Sequence, residues 1–131
     1  MSRILPLLAA ASFLIAAAPA GASSILLPPA GQYLGQAPSN HATIVFSLDL
    51  SDLHNTRVRN FTIFGARYFS SAPWHYGSNT YGYFNVRLHN HGNMHIWGTW
   101  KAEYGHMHGG YAYDYHGTRI TRHYDAKADG F

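Results

Sequence analysis

Apolar residues in this chain recur at every second position, and that period constrains the fold more than any other feature. In residues 43–50, Ile44, Phe46, Leu48 and Leu50 alternate with Val45, Ser47 and Asp49. In 83–89 the apolar set is Phe84, Val86 and Leu88, and in 94–104 it is Ile96, Gly98, Trp100, Ala102 and Tyr104. A period of two puts successive side chains on opposite faces of a β-strand, whereas an amphipathic helix needs a period of about 3.6. No helical period occurs after the first 22 residues, so the fold class is all-β. Charged residues make up 11 % of the chain and aromatics 15 %, which excludes a coiled coil, a helical repeat and a charged disordered tail. The 131 residues suffice for one domain. There is no cysteine, which rules out disulfides, Cys-ligated zinc, iron–sulfur clusters and thiol nucleophiles.

Residues 23–42, with Pro28-Pro29, Gly31, Gly35 and Pro38, read as an entry loop holding at most one short strand near Tyr33. Residues 43–131 then form a single β domain. Its strands fall at 43–50, 57–69 (with a bulge near Phe64-Gly65), 83–89, 94–104, 111–117 and 118–124, and 70–80 is a loop. A three-residue turn at His91-Gly92-Asn93 sets Leu88 opposite Ile96 and Phe84 opposite Trp100. Pairing Tyr111 with Tyr104 continues the meander and leaves 105–110 as a loop. Short antiparallel strands of this kind pack as a β-sandwich, with a small β-barrel as the alternative.

Residues 1–22 are of another kind. Arg3 supplies a positive start, Ile4 to Ala18 are nearly all apolar, and Ala20-Gly21-Ala22 offers a small-residue cleavage site. This is the pattern of a secretory signal peptide, too short in its apolar part for a membrane-spanning helix. The expectation is a secreted or periplasmic protein with no membrane span after cleavage. The net charge of +3, or +2 without Arg3, is too small for a nucleic-acid partner.

Several short motifs occur in a recognisable order: Gly31-Gln32-Tyr33-Leu34-Gly35, Ile44-Val45-Phe46-Ser47, Val58-Arg59-Asn60-Phe61, Tyr83-Phe84-Asn85-Val86, Ile96-Trp97-Gly98-Thr99-Trp100 and Gly109-Gly110-Tyr111. Over residues 31–116 the chain resembles exported bacterial β-sandwich domains of unassigned function. The resemblance implies a fold and a location, and no chemistry.

Chemistry must come from ten histidines and an unusual stock of Tyr and Trp. His89 and His91 surround one turn with His95, and in the register above His89 faces His95 with side-chain roots roughly 5 Å apart. Three imidazoles with an open position suit zinc or copper, and Met94 and Met107 nearby would favour copper(I). His106 and His108 form a second, weaker cluster in the next loop. Arg87 faces Trp97 on the outer side of the sheet, and Trp74 and Tyr76 lie in a loop. Flat residues with polar edges at such places suit a protein or glycan surface. No G-x-S-x-G occurs and Glu103 is the sole Glu, so a hydrolase would need an unrecognised site. The reading is thus a non-enzymatic binding module without a cofactor. A histidine-based copper or zinc protein is the first alternative.

Overall fold

The structure is a computed structural model and describes residues 27–128. Residues 1–22, read from sequence as a signal peptide, lie outside them. Nine strands follow in order: β1 Gly31–Ala37, β2 Ala42–Asp49, β3 Arg57–Ile63, β4 Ala66–Pro73, β5 His75–Ser78, β6 Tyr81–Arg87, β7 His95–Lys101, β8 Met107–Tyr115 and β9 Thr118–Ala128. The only helical element among the described residues is a single 3-10 turn at Leu53–Asn55, so no helix there is long and apolar enough to cross a membrane.

All-β is correct. The two packed sheets of a sandwich are not what forms, because all nine strands belong to one sheet in the order β4-β3-β2-β1-β9-β8-β7-β6-β5. Every neighbouring pair is antiparallel. The two outermost strands, β4 and β5, therefore point the same way, and only Trp74 separates them in the chain. Residues 66–78 act as one long strand that pairs first with β3 and then with β6. At the crossover the Trp74 N–H donates to the Thr56 carbonyl at 2.9 Å, and the Thr56 and Tyr76 hydroxyls are 3.0 Å apart. The sheet thus nearly closes on itself as an up-and-down barrel of eight staves. The β1–β2, β3–β4, β6–β7 and β8–β9 connections gather at one end, and the β2–β3, β5–β6 and β7–β8 connections at the other.

An eight-stranded barrel has an interior that side chains can fill. Here aromatics fill it. Phe46 stacks on Tyr33 and on Phe61, with centroids 5.2 and 5.4 Å apart, and Phe84 and Tyr124 close in at 5.8 and 6.3 Å. Room for these rings comes from glycine. Phe84, Gly98, Gly109 and Tyr124 stand side by side on β6, β7, β8 and β9, and the Tyr124 hydroxyl donates to the Trp97 carbonyl at 2.9 Å across the glycine pair. A Cβ on Gly98 would overlap the Phe84 ring and come within 2.9 Å of the Tyr124 hydroxyl. Gly98→Ala is therefore expected to cost about 1–3 kcal/mol by overpacking. Urea denaturation measures this, and an unchanged midpoint would contradict the packing.

Several sequence expectations need correction. The short strand expected near Tyr33 is present but longer, Gly31–Ala37, and it is paired on both sides, to β2 and β9, so this part of the entry segment belongs to the sheet. The slip in alternation within 57–69 lies at Asn60, whose φ of 53° makes the bulge that turns Phe61 inward. Phe64-Gly65 is instead a two-residue hairpin turn, so 57–69 is two strands. Residues 70–80 carry the end of β4 and all of β5. On β6 and β7, Val86 rather than Leu88 faces Ile96, and Phe84 faces Gly98. On β7 and β8, Ile96 faces Tyr111 and Trp100 faces Met107, so β8 begins four residues earlier than expected. Both slips are even, which keeps the inward set and changes the partners.

Candidate metal centre

The β8–β9 hairpin turns on His116-Gly117, both with positive φ, as a tight two-residue turn requires. Counting back from the pair Tyr115–Thr118 sets His108 opposite Asp125. On β8, Met107 points into the barrel and is fully buried, so His106 and His108 on either side of it lie on the outer face. Asp125 lies on the same face of β9, between the inward Tyr124 and Ala126.

Three donors converge as a result. One ligand atom from each of His106, His108 and Asp125 lies within 4.8 Å of the others, the one such His/Asp/Glu group among the described residues. His108 Nδ1 contacts Asp125 Oδ1 directly, and His106 Nε2 is 3.8 Å from the same oxygen. The two imidazole centroids are 4.3 Å apart, and the Tyr104 ring stands edge-on to His108 at 5.0 Å. His106 Nδ1 donates to the Tyr104 carbonyl at 2.8 Å. That bond selects the tautomer whose Nε2 lone pair is free on the side of Asp125, the arrangement typical of metal-bound histidine. Donors around a tetrahedral zinc ion stand roughly 3.3 Å apart at bond lengths near 2.0–2.1 Å. The three donors lie within 4.8 Å of one another, and the Asp125 carboxylate is exposed and free to turn about its own side chain.

The triad expected from sequence does not assemble. His89, His91 and His95 form no group of donors. His91, held at a φ of 55°, packs on Tyr68 with centroids 4.8 Å apart. His95 faces Arg87 rather than His89, bonds to Asn85 Oδ1 at 2.6 Å and packs at a tilt against Trp97 with centroids 4.8 Å apart. Met94 and Met107 are buried, and Met107 faces the interior, away from the histidines beside it, which removes the case for copper(I). Trp97 faces Asn85 instead of Arg87, half-buried on the outer face. Trp74 is not an exposed loop residue: it is 5 % exposed, and its indole occupies the space over Gly82. Tyr76 is half-buried on β5. Asp125 was missed, although the His116-Gly117 turn signal and a count along the two strands would have found it.

Acid sensitivity follows from groups outside the metal centre. The Ser51 hydroxyl and N–H, with Arg59, hold the Asp49 carboxyl well below its usual range. Arg119, then Asn93, lower Asp114. Burial, with the Arg87 and Arg119 charges, lowers the His95 imidazole. A depressed carboxyl contributes stability above its unfolded value, and the contribution is lost as pH falls through the folded one. A depressed imidazole likewise loses stability below its unfolded value, because the unfolded chain takes up the proton first. Stability is therefore expected to fall first around about pH 6.5 and again below about pH 4. Denaturant midpoints across that range check this, and Asp114→Asn should flatten the lower step.

Comparison with known proteins adds no relative: no family model matches the chain, and no curated protein or solved structure is significantly similar to it.

Proposed function

We propose that this is an exported, non-enzymatic binding protein that holds one divalent transition-metal ion on the outer face of its barrel. The observation that carries the reading is the convergence of His106, His108 and Asp125, with His106 already oriented by the Tyr104 carbonyl. Two neutral imidazoles and a carboxylate are borderline donors, which suit zinc(II) and copper(II) and are a poor match for calcium or magnesium. Three protein ligands leave a fourth position for water or for a donor from a partner. His108 and Asp125 sit on adjacent hydrogen-bonded strands, and His106, in the bend just before β8, is tied to the Tyr104 carbonyl, so the donors are held close together before the ion arrives. The leader-like segment and the resemblance to exported domains support the location.

Titration of the full untagged chain with zinc and with copper(II), in competition with a chromophoric chelator, tests the reading. One ion per chain is expected. Affinity should fall on acidification, since imidazole binds metal only when neutral. Absence of stoichiometric binding for both ions refutes it.

The outer face of β6 and β7 favours a second reading, a contact surface for a protein or glycan. Tyr83, Asn85, His95 and Trp97 line a shallow hollow of about 390 Å³ there.

A further inference from the structure

The barrel end opposite the metal centre carries a different kind of site. The interior is blocked by Phe46, Phe61, Phe84 and Tyr124, so a ligand can enter only as far as the mouth. At that mouth is a hollow of about 430 Å³, within the range of small-molecule sites. Ile63 and Met94 form its floor, and Tyr68, Tyr111 and Tyr113 contribute its walls. Tyr111 and Tyr113 lie parallel with centroids 6.2 Å apart, and Asn40 Nδ2 donates to the Tyr111 hydroxyl at 3.1 Å.

One turn at this rim violates the local rules. Phe64 and Gly65 both have positive φ, 52° and 80°, in a turn that Asn-Gly would occupy most comfortably. A bulky side chain is strained in that conformation. The Phe64 ring is 64 % exposed, so packing does not explain its presence, and it borders the hollow. Of the six described non-glycine residues with positive φ, five (His41, Phe64, His91, Asn93 and His116) are in connections at this end. Such concentrations of backbone strain occur at functional sites. The rim is also tied together. Arg119 donates to the Asn93 carbonyl at 2.9 Å and to Asp114 at 3.0 Å, and the Asp114 N–H donates to the Gly92 carbonyl at 2.8 Å.

The chemistry selects the ligand. The walls carry phenol rings, which offer a flat apolar face and a hydroxyl edge, and Asn40 and His91 add further polar groups. The one carboxylate, Asp114, is already engaged by Arg119 and Asn93, so nothing in the hollow calls for an ionic partner. Flat apolar faces bordered by hydroxyl, amide and imidazole groups match a ring with C–H faces and a hydroxylated edge. We infer that the barrel mouth binds the terminal pyranose ring of a neutral oligosaccharide, with Phe64 closing over the ring from the lip.

The test is titration of the full chain with cellobiose, maltose and N,N′-diacetylchitobiose, followed by amide NMR. At least one of the three is expected to shift the resonances of Asn40, His91 and Tyr113, with a Kd of about 5 mM or tighter. Phe64→Asn suits the turn better than the native residue, so it should keep or raise the thermal midpoint while weakening binding about five-fold. Tyr113→Ala should weaken binding as well. The proposal is overturned if none of the three sugars moves these resonances at about 20 mM, or if Phe64→Asn binds as tightly as the native chain.

Discussion

Replacing Phe46 with alanine is expected to remove about 3–5 kcal/mol of stability, a large part of the roughly 5–15 kcal/mol that holds a domain folded. Phe46 is 1 % exposed and contacts four other rings, Tyr33, Phe61, Phe84 and Tyr124. Truncation loses the transfer energy of the ring and leaves a void. The cost of such a void depends on how far its walls can relax. Here they are staves of a nearly closed sheet, each hydrogen-bonded to both neighbours, and they cannot move inward one at a time. Phe46→Leu keeps more of the volume and should lose only a fraction of this. Urea denaturation of the two variants checks the ranking, and an alanine variant within about 1 kcal/mol of the native chain would show that the interior is not packed as described.

His108→Ala is expected to weaken zinc binding at least about 100-fold. Loss of an outer-shell partner alone costs about 10–100-fold, and His108 supplies a donor atom that touches Asp125. Asp125→Ala removes the only anionic ligand and should be comparable. The His89→Ala, His95→Ala double variant should bind as the native chain does, because neither residue joins the centre. Chelator competition on these variants separates a defined site from diffuse binding by a histidine-rich surface. In the diffuse case every variant would lose a little and none would lose most.

The all-β class and the inward face of most strands were legible because a period of two survives even when partners are misassigned. Ile96, Trp100 and Tyr111 were correctly placed inward although two registers were shifted. What sequence could not show was where each strand stops. The Phe64-Gly65 turn was hidden because phenylalanine stands where asparagine is expected. The start of β8 was hidden because His106-Met107-His108-Gly109-Gly110 reads as a loop until the space required by the Tyr124 ring is known. Closure of the barrel depends on Trp74 crossing between β3 and β6, which no local pattern announces. The histidine triad at 89, 91 and 95 failed through a two-residue shift of the β6–β7 register, which sets Arg87 rather than His89 opposite His95. The pair His106 and His108 was visible, and its third member lay one hairpin count away.

The most direct test of the metal reading is a long-range proton–nitrogen spectrum of the histidine rings in the full untagged chain, recorded with and without about one equivalent of zinc. The structure predicts metal-bound shifts at His106 Nε2 and His108 Nδ1, with the rings of the other eight histidines unchanged. Coordination shifts at His89, His91 and His95, or no ring response at one equivalent, would contradict it.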